Sequence, residues 1–317
     1  MRIVFMGTPQ FAVAILDAVY KAGHDIAAVV TASDKPAGRG KKMQMSEVKQ
    51  YALEHDLPVL QPEKLKNPEF IASLKSLNAD LFVVVAFRML PEEVFLIPPK
   101  GTFNVHASLL PQYRGAAPIH HAVMNGEKKS GVTTFFLNKE IDKGNIIDCE
   151  EVEIGDAETT GELYEKLMYK GAALAVKTIQ SIEKGEVTTK SQANFDEKEL
   201  KPAPKIFKED TLICWEDTAQ NIFNKIRGLS PFPCAYTRIQ NMKGETEILK
   251  CYFASVSEKM STGKAGEFYT DGKTFIAVNT LDFQILLKDI QIQGKKRLEI
   301  GLFLSGFREN HYKNQLF

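Results

Sequence analysis

The chain has 317 residues, 44% of them apolar, enough to bury a sizeable core and more easily arranged as two domains than one. Forty basic residues balance forty acidic ones, so no global field draws nucleic acid or an anionic membrane, and any such partner must be held by a local patch. Cys149, Cys214, Cys234 and Cys251 form no CxxC pair, and Met1 leads directly into an apolar run without a leader or a membrane span, which together read as a cytoplasmic protein with free thiols.

In chain order, MRIVFMG reads as a short strand closed by Gly7, and Pro9 opens a helix over FAVAILDAVYKAG, whose apolar residues recur near every 3.6 positions until Gly23. DIAAVVT reads as a second buried strand and MSEVKQYALEHD as an amphipathic helix with Ser46 at its cap. NPEFIASLKSLN and ADLFVVVAF repeat the helix-then-strand unit, the unbroken LFVVVAF suiting a strand covered on both faces. FNVHAS is the next strand, AAPIHHAVMNG a helix, and GVTTFFLN and IIDCEEVEI strands. One long helix over TTGELYEKLMYKGAALAVKTIQSIEKG, capped at Thr159 or Thr160, completes the first half. This alternation predicts a doubly wound α/β sheet over residues 1–189.

Residues 190–208, with two prolines and alternating charges, read as an exposed linker. Over 209–317 the period changes. After one helix, DTAQNIFNKIRGLS, come short strands separated by Gly, Asp and Asn turns, which predict a small β-barrel. Its 14 Lys or Arg against 13 Asp or Glu leave it near neutral, so charge alone argues no RNA role for it.

The strand, turn and helix at Gly7 invite a dinucleotide reading, but that fingerprint needs three glycines and here Thr8, Pro9 and Gln10 follow; a tight structural turn is the better account. SDKPAGRGKK is a basic loop hinged at Gly38 and Gly40, either a solvated surface or a phosphate contact through Arg39, Lys41 and Lys42. In FNVHASLLPQYRG, Asn104 and His106 stand two apart on a strand and so share a face, near the carboxyl edge where open α/β sheets bind ligands. An amide can donate to an oxygen that gains negative charge, and an imidazole can move a proton near neutral pH. Asp142 in EIDKGNII supplies an orienting carboxylate if GVTTFFLN runs beside FNVHAS. Plainer readings stand beside this one: Asp-Lys-Gly-Asn is a turn first, and a histidine at a strand end is commonly a hydrogen-bonded structural group. There is no Ser elbow and no HExxH, and His120-His121 lack metal-ligand spacing, which argues against acyl-enzyme and zinc chemistry.

Taken together, FMGTPQFA, KPAGRGKK, FNVHASLLPQYRGAAPI and EIDKGNII, in this order and at these separations, resemble the methionyl-tRNA formyltransferase family, and the similarity continues through the linker and ICW into the barrel. The middle motif alone marks the wider group of folate-dependent formyltransferases; FMGTP and GRGKK narrow it. The resemblance implies a catalytic trio of Asn104, His106 and Asp142, a folate-contacting turn at Ser108, Leu109, Leu110 and Pro111, and a second folate-side loop at Phe87, Met89 and Leu90. It further implies tRNA contact through Arg39, Lys41 and Lys42 and an OB-like C-terminal barrel that helps hold tRNA. The formyl donor it implies is 10-formyltetrahydrofolate, with no metal, and the acceptor is initiator methionyl-tRNA, in the service of translation initiation by a monomer. A 10-formyltetrahydrofolate hydrolase or a sugar-amine N-formyltransferase would share the trio, whereas a non-catalytic nucleotide- or folate-binding module would not need it. The chain departs from the family pattern at Phe87-Arg88-Met89, where many relatives carry Tyr-Gly, and at Gln112, where a basic residue is common.

Overall fold

A computed structural model describes residues 1–37, 42–193, 195–307 and 312–317. The chain divides into two compact units, one of Met1–Gly115, Ser130–Val152 and Tyr164–Pro202, the other of Ala116–Lys129, Glu153–Leu163 and Ala203–Phe317.

To residue 184 the elements are β1 (Arg2–Gly7), α1 (Gln10–Lys21), β2 (Asp25–Val30), β3 (Lys35–Ala37), β4 (Lys42–Gln44), α2 (Glu47–Glu54), β5 (Val59–Leu60), α3 (Pro68–Ser76), β6 (Leu81–Val85), α4 (Glu92–Phe95), β7 (Thr102–His106), α5 (Pro118–Met124), β8 (Lys129–Phe136), β9 (Ile146–Glu153) and α6 (Thr160–Lys184). One seven-stranded sheet runs in the order β5-β2-β1-β6-β7-β8-β9. The strands β5, β2, β1, β6 and β7 are parallel, and β8 turns antiparallel to β7. The chain moves outward from β1 through β2 to β5 and then returns to β6 on the other side, so the order reverses between β1 and β6. In open sheets the crevice beyond the carboxyl ends at such a reversal is where ligands bind.

Local chemistry explains these elements. All five residues of β6 are buried, as an unbroken apolar run between two covering layers requires. Ser46 accepts a hydrogen bond from the Lys49 N–H at 3.1 Å and caps α2. At the start of α6, Thr159 Oγ1 accepts from Glu162 N while Glu162 Oε2 accepts from Thr159 N at 2.8 Å, a reciprocal cap. A Cβ at Gly7 would stand 2.6 Å from Ala12 Cβ and 3.1 Å from the Val85 carbonyl, so glycine here lets α1 close on the sheet.

The reading of SDKPAGRGKK as one loop needs correction. Lys35–Ala37 and Lys42–Gln44 pair antiparallel as the hairpin β3–β4, with Lys35 opposite Gln44, in strands too short to show an alternating pattern. Arg39 and Lys41 lie outside the described residues; Lys42 is on β4.

The second unit carries α7 (Ala219–Gly228), β10 (Ala235–Asn241), β11 (Thr246–Met260), β12 (Phe268–Thr270), β13 (Ile276–Asn279), β14 (Phe283–Ile292), β15 (Leu298–Glu299), α8 (Ile300–Gly306) and β16 (Tyr312–Leu316). Its strands follow the order β12-β13-β14-β11-β10-β16, with β15 added on β14. The Glu267–Gln315 bridge and the 2.8 Å bond from Leu316 N to Gly266 O join the two ends into a nearly closed barrel, which protects the edges. Ile222, Leu249, Val278, Ile285 and Leu287 fill it, and the buried Trp215 donates Nε1–H to Thr237 Oγ1 at 2.9 Å.

Candidate active site

β6 and β7 pair with Val84 opposite Asn104 and Val85 opposite Val105, while Gly7 at the end of β1 pairs with Val85. The chain beyond each strand therefore leaves the sheet at one edge. β8 brings Phe135 opposite Asn104 and Thr133 opposite His106. The turn after it returns Asp142 to His106, with Oδ2 3.9 Å from Nδ1 and both side chains largely buried. Among the described residues His106 and Asp142 thus meet, and Asn104, two residues before His106 on β7, lies on the same strand face.

His106 Nε2 lies 2.9 Å from the Tyr113 carbonyl oxygen. A carbonyl can only accept, so this nitrogen carries the proton, and in the neutral ring Nδ1 carries the lone pair, 3.9 Å from Asp142 Oδ2. A separation of 3.9 Å is too long for a hydrogen bond. The hydrogen bond to the ring comes from the Tyr113 carbonyl, with the Asp142 carboxylate 3.9 Å from Nδ1, and Phe135 packs edge-on at 6.5 Å between ring centroids. Asp142 Oδ2 is itself held, accepting from Gly115 N at 3.0 Å. The Asp142 backbone is left-handed, at φ 53°. Gly144 completes that turn because a Cβ there would fall 1.6 Å from the Phe136 carbonyl oxygen.

Asn104 is half-buried, and its Oδ1 is buried without a hydrogen-bond partner among the described residues. An amide oxygen left this way costs about 1–3 kcal/mol, and rotating the amide places its NH2 at the same point. The unmet group sits at the ligand edge of the fold, where a bound polar oxygen would satisfy it.

The SLLP turn is mostly interior. Ser108 Oγ donates to the Gln112 carbonyl at 2.7 Å, and Thr133 Oγ1 donates to the Ser108 carbonyl at 2.7 Å while accepting from Leu110 N at 3.2 Å. Ser108, Leu110 and Pro111 are buried and Leu109 is half-buried. On the neighbouring loop Ala86 has φ 45°, Phe87 is half-buried beneath the Arg88 guanidinium, and Met89 is 66% exposed. Leu90 instead turns inward and joins the cluster of Val94 and Phe95. Arg88 pins this loop by donating to the carbonyls of Pro62 and Glu63.

Gln192 was not singled out by sequence. Its Nε2 donates to the carbonyls of Asp142 (3.0 Å) and Gly144 (2.7 Å), and its Oε1 accepts from Arg114 Nε (3.2 Å) and Nη2 (2.9 Å). Burial pulls Arg114 below the ordinary guanidinium value, and Glu197, Asp142 and Glu140 oppose that shift. Among the described residues no three His, Cys, Asp or Glu side chains converge as a metal site.

Two families match the chain: Formyl transferase over residues 1–179, and Formyl transferase, C-terminal domain, over residues 205–308. A methionyl-tRNA formyltransferase of Bacteroides fragilis is 47% identical over 308 residues, covering 97% of this chain and 95% of its own length. One of Azobacteroides pseudotrichonymphae is 49% identical, covering 96% and 95%. Among solved structures, WlaRD, a sugar 3N-formyl transferase in the presence of dTDP and 5-N-formyl-THF, superposes with a TM-score of 0.63 at 22% identity, over 93% of this chain and 99% of that one; this similarity speaks to the fold. With both halves of the sequence matched and near-half identity sustained from end to end, the chain belongs to the methionyl-tRNA formyltransferase family.

Proposed function

We infer that the chain is an enzyme that transfers a formyl group from 10-formyltetrahydrofolate to the amino group of initiator methionyl-tRNA, for translation initiation. The observation that carries this reading is the end-to-end similarity to relatives bearing that activity in their name. The placement of Asp142 beside His106, with Asn104 on the same strand face, agrees with it.

The folate brings an electrophilic formyl carbon, and attack on it by the methionyl amine places negative charge on the formyl oxygen. Asn104 donates to that oxygen from its amide, a group fixed on a strand and so already in place when the charge appears. His106 takes the amine proton at Nδ1, the nitrogen that bears the lone pair. The imidazolium so formed is held by the Tyr113 carbonyl at Nε2 and stabilised by the charge of the nearby Asp142 carboxylate. His106 then returns the proton to the departing nitrogen. The steps require neither a metal nor a covalent bond to the enzyme.

Ser108 to Pro111 give the folate pocket a rigid wall, with Phe87 and Met89 as its more open contacts. Arg39, Lys41 and Lys42 meet acceptor-stem phosphates, the C-terminal barrel holds tRNA, and the enzyme acts as a cytoplasmic monomer. No helix among the described residues is long and apolar enough to cross a membrane.

Acceptor choice tests the reading. Tetrahydrofolate release is followed with charged initiator tRNA, with an amino sugar and with buffer alone. Fast release is expected in the first arm only. Equal release in buffer would make the protein a hydrolase, and fast release in the second arm a sugar-amine formyltransferase.

A further inference from the structure

Gln192 falls in the stretch whose sequence reads as linker, yet it is only 5% exposed and its amide is completely used: two donated bonds and two accepted. Both donated bonds go to one turn. They bridge the carbonyls of Asp142 and Gly144 across a backbone whose φ of 53° at Asp142 is uncommon for a residue with a side chain. The accepted bonds come from Arg114, which stands between Tyr113, whose carbonyl holds His106, and Gly115, whose N–H holds Asp142. Lys201 adds a second tether, its carbonyl accepting from Tyr113 N at 2.7 Å and its N–H donating to Gln112 Oε1 at 2.8 Å. The loop at 113–115 and the turn at 142–144 thus reach each other through one buried amide.

We propose that Gln192, with Arg114, forms a positioning pair that sets the separation of His106 and Asp142 during catalysis, an inference that rests on the formyl-transfer reading above. Neither side chain is assigned a contact with substrate. Gln192 acts on the carboxylate through the backbone that carries it, and a displacement of about 1 Å at a reacting geometry can cost about 10²-fold in rate.

The test uses the full-length protein and three substitutions. Gln192→Ala removes all four bonds. Gln192→Glu keeps the volume and the acceptor for Arg114 but offers no donor to the two carbonyls, and it serves where Gln192→Ala does not fold in a thermal melt. Both should lower kcat by about 10- to 100-fold with KM for formylfolate within about twofold. In an Asp142→Asn background the same Gln192 substitution should cost less than about threefold, because the carboxylate it positions is already gone. Wild-type kcat in Gln192→Glu, or the full loss repeated in the Asp142→Asn background, overturns the inference. If the unaltered protein fails to formylate methionyl-tRNA, the formyl-transfer reading itself fails; if it formylates and the Gln192 variants keep its kcat, only the positioning role does.

Discussion

Replacing Asp142 by asparagine removes one charge and almost no volume. Asp142 Oδ2 stands 3.9 Å from His106 Nδ1, and the two side chains are 15% and 7% exposed, so solvent screens the pair little. A full pair of opposite charges near that distance is worth about 4 kcal/mol at an effective dielectric constant of about 20. An imidazolium half formed at the top of the barrier would draw about 2 kcal/mol from it. The expected loss in kcat is therefore between about 30-fold and about 10³-fold. The asparagine oxygen can still accept from Gly115 N, which lies 3.0 Å from Oδ2 in the native protein, so the turn and the folate affinity should survive. Rapid-quench turnover with charged tRNA measures the first quantity and fluorescence titration with formylfolate the second. A kcat within threefold of the unaltered protein, with folate binding unchanged, would mean that the charge at 142 is not felt by the imidazole.

Three further outcomes are expected. Gly144→Ala puts a methyl where the Phe136 carbonyl oxygen already stands, so the turn must move; both the urea midpoint and kcat should fall, and a variant with both intact would contradict the packing argument. Burial pushes the Cys234 thiol up to about 12 from an ordinary 9.0, and Cys251 up as well. Above pH 9 the unfolded chain loses these protons while the folded chain keeps them, so stability should drop with rising pH, by about 1 kcal/mol per thiol at pH 10. A Cys234→Ala, Cys251→Ala double variant should lose that part of the slope in urea titrations, and an unchanged slope would sink the reasoning. Arg39→Ala with Lys41→Ala should weaken transfer to methionyl-tRNA and flatten its salt dependence while leaving formylfolate binding alone; normal transfer with intact salt dependence would reduce those cations to surface.

What could be read in the sequence was local. LFVVVAF announces a doubly covered strand because burial on both faces needs no alternation, and Ser46 announces a cap because its bond to Lys49 spans three residues. Asn104 and His106 share a face by spacing alone. Asp142 joins them only because β8 turns antiparallel to β7, a choice of register that no short motif encodes. Gln192 stays hidden for the same reason: its partners lie 48 to 78 positions away, and a single glutamine leaves no period. The helix AAPIHHAVMNG reads as part of the first half, yet it is grouped with the barrel unit. There α5 packs so tightly on α7 that a Cβ at Gly228 would lie 2.4 Å from Met124 Cγ, a contact about a hundred residues distant in sequence. The α8 segment is short and apolar, and it packs Ile300 and Leu304, one turn apart, into the barrel core.

The proposed role of Asn104, His106 and Asp142 can be measured at once by single turnover of the enzyme loaded with formylfolate and mixed with charged initiator tRNA. The unaltered protein is compared with Asn104→Ala, His106→Ala, Asp142→Asn in one chain. On the proposed mechanism, in which the groups act on one developing charge and one proton, the triple variant should bind formylfolate with near-native affinity yet form formylmethionyl-tRNA at least about 10³-fold more slowly. A triple variant that binds folate and transfers within about tenfold of the native rate would show that the chemistry is done elsewhere.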